Sequence, residues 1–245
     1  VVQIDKSAVV VPTILTKEGR GGIATNALIQ AAESGTLTFE FDVGIYGHKS
    51  VKVLLRQLQH GKCCFCEDYI AHVEHGDVEH FRPKGGFQTD EQQPLQTPGY
   101  YWLAYDFSNL FYCCQICNQV YKKNYFPLSD ESKRVRSHRE NFQVENSLLI
   151  HPGIDEPEKH LTFIGEVIKP LDGSQKGAET IKRAGLDRPE LEDDRFVYIK
   201  TLRILAAVAR GNGPQAIIAQ QHFKEISKPT GVYSLMVRAN FPDLV

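Results

Sequence analysis

The residues of this chain best suited to chemistry lie between and beside two cysteine pairs, Cys63-x-x-Cys66 and Cys114-x-x-Cys117. A Cys-x-x-Cys turn presents two sulfurs to one ion, and zinc takes four thiolate or imidazole ligands in a tetrahedron. Two such turns close one shell. The expected structural-zinc ligands are Cys63, Cys66, Cys114 and Cys117, with Cys64 and Cys113 left as small buried residues. The register stays open, because Cys113 could replace Cys114 at a slightly wider spacing. A closed four-thiolate shell holds structure and does not catalyse, and its binding energy is folding energy. None of the six cysteines lies outside the two clusters, a distribution that favours metal over disulfides in a reducing compartment.

Between the pairs runs Glu79-His80-Phe81-Arg82-Pro83-Lys84, and the second pair leads directly into Asn118. That order places a histidine and two oxygen donors, one carboxylate and one amide, beside a metal-stapled core. Neighbouring residues on a regular strand face opposite ways, which would divide labour between Glu79 and His80. A rival zinc chemistry, nucleobase deamination, would use His72-Val73-Glu74 with a later Cys-x-x-Cys. Its proline is missing before both Cys113 and Cys114, and the first cysteine pair would have no task, so it is set aside.

The flanking elements read as helices. Residues 24–32 are good helix formers closed by Gly35. In 48–59, Val51, Leu54, Leu55 and Leu58 fall at helical spacing, Gly61 supplies a cap, and the chain is delivered to Cys63. From 61 to 128 Gly and Pro break the chain into short strands and turns, with 88–98 a polar loop across the site and the aromatic run 100–105 assigned to packing. After a Pro- and Gly-rich stretch over 152–173, helices are expected at 178–184, 191–209 and 214–226. In the second of these Phe196, Ile199, Leu202, Leu205, Ala206 and Ala209 should be buried, with Glu192, Asp193 and Asp194 favoured near the N-terminus by the helix dipole. The chain divides into an N-terminal helical region (1–60), a zinc-bound core (61–130) and a mainly helical C-terminal region (131–245), with no long-period repeat.

With 28 Lys and Arg against 30 Asp and Glu, the overall field does not draw nucleic acid, so a local patch must. The expected patch is Lys122, Lys123, Lys133, Arg134, Arg136 and Arg139, with His138 among them and Tyr121, Tyr125 and Phe126 interleaved. No apolar run approaches the roughly 20 residues needed to cross a bilayer, and no basic-then-apolar signal opens the chain, so the expectation is a cytoplasmic protein with no membrane partner.

The ordered set Cys-x-x-Cys, Val-Glu-His-Phe-Arg-Pro-Lys, Tyr-Trp-Leu-Ala-Tyr-Asp-Phe-Ser-Asn-Leu, Cys-x-x-Cys-Asn and Phe-Pro-Leu resembles the HNH endonucleases. Within them it resembles the PtuB-like nucleases of Septu and retron-associated anti-phage systems. The likeness is strong over 63–128, weaker through Leu148-Leu149-Ile150-His151-Pro152 and Asp155-Glu156-Pro157, and elsewhere one of general layout. It implies an α+β, mainly helical protein with an embedded ββα-metal core, in which a β-hairpin and a helix clasp one Mg²⁺ or Mn²⁺. His80 would be the general base, chosen over His75 because it alone is followed by Arg-Pro-Lys. Asn109 would hold the loop and orient the histidine. Glu79, where most HNH enzymes carry Asp, and Asn118 would reach the cation. Arg82, Lys84, Lys122 and Lys123 are the candidates for substrate phosphate, Lys122 lying one helical turn beyond Asn118. The implied activity is metal-dependent hydrolysis of phosphodiester bonds, DNA favoured, alongside a PtuA-like ATPase. The alternatives are the same chemistry on RNA, including tRNA, and an inert zinc-ribbon adaptor.

Overall fold

Three helices precede the first cysteine pair: α1 (Arg20–Glu33), α2 (Val43–Tyr46) and α3 (Lys49–Leu58). This structure, a computed structural model, describes residues 1–70, 72 and 75–245, so Val73 and Glu74 of the rejected deaminase motif lie outside the described residues. The apolar spacing of α3 buries Val51 and Leu55 completely, and His48 caps its start by accepting a hydrogen bond from Ser50 N at 3.2 Å. Past its end the chain enters left-handed backbone at His60 and Gly61, and Gly61 N donates to Arg56 O at 2.8 Å. That reversal turns the chain inward two residues before Cys63.

Strand β1 (Asp77–His80) pairs antiparallel with β2 (Leu110–Cys113), Glu79 opposite Phe111 and His80 opposite Leu110. All of β2 is buried. A π-helix, Ile116–Lys122, follows it. Such wide turns are uncommon and recur at functional sites. Between the strands the aromatic run forms a 3₁₀ turn, Tyr101–Leu103, and packs as expected, with Tyr100, Tyr101 and Tyr105 buried. The Tyr100 hydroxyl donates to Glu145 Oε1 at 2.7 Å and accepts from Arg134 Nη1 at 2.8 Å, which satisfies its polar end inside the core.

The stretch read as irregular contains a second antiparallel hairpin, β3 (Leu161–Ile164) with β4 (Val167–Pro170). Leu161 and Phe163 point inward and Ile164 outward, a two-residue alternation too short to stand out among its Pro and Gly neighbours. Helices α4 (Gln175–Ala184), α5 (Pro189–Ala209) and α6 (Pro214–Ile226) fall where periodicity placed them, and a short α7 (Ser234–Asn240) was not anticipated. Gly185 ends α4 at φ 57°, and a Cβ there would lie 2.4 Å from the Tyr121 ring, so the π-helix side packs directly on this turn.

One expected core residue is misplaced. Phe196 is 43% exposed, and the buried seam of α5 is Leu191, Arg195, Ile199, Leu202, Ala206 and Ala209. Counting back from Ile199 in steps of four reaches Arg195, whose guanidinium lies against the Phe163 and Tyr233 rings and donates to Leu186 O at 2.6 Å. One buried apolar cluster extends from Val1 to Leu244, through all three regions of the sequence. Among the described residues no helix is long and apolar enough to cross a membrane.

Candidate active site and metal centre

The turn after Gly61 and the β2-to-π-helix junction bring the two cysteine pairs together. The Sγ atoms of Cys63, Cys66, Cys114 and Cys117 all lie within 4.8 Å of one another and are buried. Ligands at about 2.3 Å from one ion would stand roughly 3.8 Å apart in a tetrahedron. The four cysteines are therefore positioned to bind a metal ion, as the spacing implied. Cys117 N donates to Cys114 Sγ at 3.3 Å, and Arg188 Nη1 approaches Cys117 Sγ at 3.5 Å, contacts that offset thiolate charge. Cys64 and Cys113 are buried beside this group and form a second three-sulfur set with Cys63, whose Sγ is 3.6 Å from that of Cys113.

Next to the cysteines a cavity of about 520 Å³ is bordered by β1, the π-helix, α2 and the loop after His80. Glu79, His80 and Asn118 all border it. Strand alternation would separate Glu79 from His80, but β1 ends at His80 and the backbone bends away at Phe81, so both reach one cavity. His80 Nε2 lies 2.9 Å from Ala104 O. A carbonyl only accepts, so Nε2 carries the hydrogen and Nδ1 is the acceptor nitrogen. Lys84 Nζ stands 3.4 Å from that Nδ1, and the Tyr46 ring meets the imidazole edge-on at 4.7 Å. Burial, reinforced by the Lys84 charge, holds His80 well below the usual histidine range, so the ring is neutral at pH 7.

Glu79 is buried, and burial raises its carboxyl above the usual range despite the charge of Lys122. Its Oε1 forms a buried ion pair with Lys122 Nζ at 2.6 Å and meets no other donor among the described residues. Asn118 Nδ2 donates to Asp77 Oδ2 at 2.9 Å, and Gln119 Nε2 donates to the same oxygen at 2.7 Å. Asn118 Oδ1 has no protein partner among the described residues.

The remaining candidates divide. Lys84 and Lys123 border the cavity. Lys122 does not project into it as a free cation: it is 1% exposed and its ammonium is spent on Glu79 and on His80 O, 3.0 Å away. Arg82 faces away, its Nε donating to Glu145 Oε2 at 3.0 Å. Asn109 is buried off the cavity, where its Oδ1 accepts from Arg82 N at 2.8 Å and its Nδ2 donates to Arg82 O and Leu103 O. It closes the loop that carries Ala104, the acceptor for His80. His75 borders a different depression with Lys49 and Arg56, and no residue of 88–98 lines the cavity.

The expected basic patch is broken up. Arg134 is buried against Glu131 and Phe126 O, Arg139 pairs with Glu33 at 2.6 Å, and Arg136 donates to Gln96 at 2.9 Å. Charge counting along the chain cannot see those partners. The cavity contains residues that sequence reasoning missed: Asp77, Gln119, Tyr46 and Lys52. Asp77 carried a legible signal, two residues before Glu79 and hence on the same strand face. Lys52 carried none, since it arrives from α3, where its Nζ donates to Gly76 O at 3.0 Å.

No protein-family model matches the chain, and no solved structure matches it. The chain is 39% identical over 179 residues to Septu protein PtuB of Bacillus mycoides (strain KBAB4), a match covering 72% of this chain and 60% of that protein. It is also similar to Septu protein PtuA of the same strain, 26% identical over 141 residues, or 58% of this chain and 20% of PtuA. The chain thus spans less than two thirds of either relative.

Proposed function

We propose, from the similarity to Septu protein PtuB and the geometry around His80, that this chain is an HNH-type endonuclease acting in anti-phage defence beside a PtuA-like ATPase. The observation that carries the chemistry is the Nε2–H of His80 held on Ala104 O, which leaves Nδ1, 3.4 Å from Lys84 Nζ, as the proton-accepting nitrogen of a residue that borders one cavity with Glu79 and Asn118. A neutral imidazole fixed in one tautomer offers one nitrogen to accept a proton, and substrate phosphate drawing off the Lys84 charge would raise the basicity that Lys84 and burial depress. His80 Nδ1 takes a proton from water as the water oxygen bonds to phosphorus; the bond from phosphorus to the sugar oxygen breaks, and that oxygen takes a proton from solvent.

The donor set fits a divalent cation. Glu79 Oε1 is buried with Lys122 Nζ 2.6 Å away, a pairing that a cation would share or displace, and Asn118 Oδ1 is without a protein partner among the described residues; both are oxygen donors suited to a hard ion. Mg²⁺ or Mn²⁺ held there would supply electrostatic stabilisation of the charge that develops on the phosphate and the departing oxygen. Lys84 and Lys123 are placed to attract the phosphate, and Lys84 also disfavours protonation of His80 before substrate arrives. The four cysteines take Zn²⁺ as a structural ion. It would tie β2 to the π-helix, and Asn118 follows the ligand Cys117 directly, so the zinc shell sets where Asn118 stands. In this reading β1, β2 and the π-helix are the ββα-metal core.

The test is cleavage of supercoiled plasmid, linear DNA and bulk tRNA with Mg²⁺ or Mn²⁺, alone and with the co-expressed ATPase. Wild type should cut in a manner abolished by EDTA and by His80→Ala, with DNA preferred. Preference for tRNA would reassign the substrate. Full activity in His80→Ala would overturn the mechanism, and no cutting of any substrate with the partner present would favour an inert zinc-bound adaptor.

A further inference from the structure

Asp77 borders the cavity on the same face of β1 as Glu79, but it is turned toward the π-helix. One of its oxygens, Oδ2, accepts both the Asn118 and the Gln119 amide hydrogens, at 2.9 and 2.7 Å. An ionised carboxylate accepts and cannot donate, so only the NH₂ end of each amide can face it. The orientation of Asn118 is thereby forced. Its NH₂ is committed to Asp77 and its Oδ1 is left for a ligand that wants oxygen.

We propose that Asp77 is a positioning residue that fixes the Asn118 carboxamide with its oxygen available to the divalent cation, an inference that rests on the nuclease reading above. The π-helix gives the contact its purpose. Asn118 sits inside this wide turn, which Lys123 N closes by reaching back to Asn118 O at 2.8 Å, and the π-helix supplies no side-chain partner for its carboxamide among the described residues. The anchor therefore comes from the neighbouring strand. Removing an outer partner that orients a ligand typically weakens metal binding by 10–100-fold.

The experiment measures Mn²⁺ binding to the full zinc-loaded chain by electron paramagnetic resonance, for wild type, Asp77→Asn, Asp77→Glu, Asn118→Ala and the double variant Asp77→Asn/Asn118→Ala. Zinc content and thermal midpoint are recorded for each. Asp77→Asn should raise the Mn²⁺ dissociation constant about 10–100-fold with zinc content and midpoint unchanged. Asp77→Glu, which restores an acceptor-only group, should recover most of that loss. In the Asn118→Ala background Asp77→Asn should add nothing, because its effect passes through Asn118. An additive loss there would mean that Asp77 acts by charge or by direct ligation and would overturn the inference, as would wild-type binding in Asp77→Asn, or a binding loss accompanied by zinc loss or melting. The nuclease reading fails separately, through undiminished cleavage by His80→Ala; unchanged Mn²⁺ binding in Asp77→Asn beside an inactive His80→Ala sinks the Asp77 role alone.

Discussion

Replacing Lys122 by methionine separates two meanings of the same lysine. By residue type and spacing Lys122 is a phosphate contact; in the fold it is a buried counter-ion, 1% exposed against a 4% exposed Glu79, with 2.6 Å between Nζ and Oε1. At an effective dielectric of ~20 the gross attraction at that distance is about 6 kcal/mol. Much of that is offset by the desolvation of both charges, but deleting one partner leaves the other buried and uncompensated, which typically costs about 3–5 kcal/mol. Lys122→Met should therefore lose about that much in urea unfolding at pH 7.

The pH dependence follows from Glu79. Its carboxyl is already raised by burial, and without Lys122 it rises further. A carboxyl raised in the folded state favours the protonated form there, so stability is present at low pH and is lost as pH climbs through the folded value. The deficit of Lys122→Met against wild type should accordingly shrink as pH is lowered from 7 toward the usual carboxylate range. In the double variant with Glu79→Gln the losses should fall well short of their sum. A stability change within about 0.5 kcal/mol, combined with weaker nucleic-acid binding and a salt slope reduced by about one unit, would refute this account and return Lys122 to the substrate.

Substituting Cys117→Ser should release the structural metal, measured as one equivalent of zinc lost per chain, and should also abolish Mn²⁺ binding because Asn118 is the next residue. His151 is held down to about 3 by burial, then by the Arg82 and Lys6 charges. The unfolded chain binds that proton below about pH 6.5 and the folded chain does not, so stability should fall by about 1.4 kcal/mol per pH unit on acidification across this window. His151→Asn, which retains a polar atom for the Gly153 N–H, should flatten the wild-type slope between pH 6 and 4 in denaturant titrations, and parallel slopes would contradict the assignment. Gly185→Ala combines φ 57° with a contact 2.4 Å from Tyr121, so it should cost about 2–4 kcal/mol by thermal unfolding; a neutral effect would mean that the α4 turn and the π-helix side do not pack as described.

What the sequence made legible and what it concealed differ in range. The cysteine pairs, Glu79-His80 and Asn118 could be read because each group is local: a turn, two strand residues, the first turn of a helix. The long helices were readable for the same reason, and the slip at Phe196 came from ranking an aromatic above the arginine that the four-residue step actually selects. The cations were illegible, since a lysine or arginine shows its charge and not its partner. Lys122 and Arg82 were candidates for binding phosphate and Arg134 belonged to the expected basic patch, and they are directed instead at Glu79, Glu145 and Glu131, respectively. This reassignment changes the electrostatic argument for nucleic acid. With those three withdrawn, the cavity is left with Lys52, Lys84 and Lys123 facing Asp77 and Glu79, a mixed rim and not a basic groove. Such a rim supplies little long-range attraction in a chain of net charge −2, so on the proposed nuclease reading substrate capture would come from the short-range phosphate contacts, from a divalent cation, or from a partner's surface. On the proposed nuclease reading the chain alone should be weakly attracted to nucleic acid, and its cleavage rate should depend more steeply on the presence of an ATPase partner than on salt.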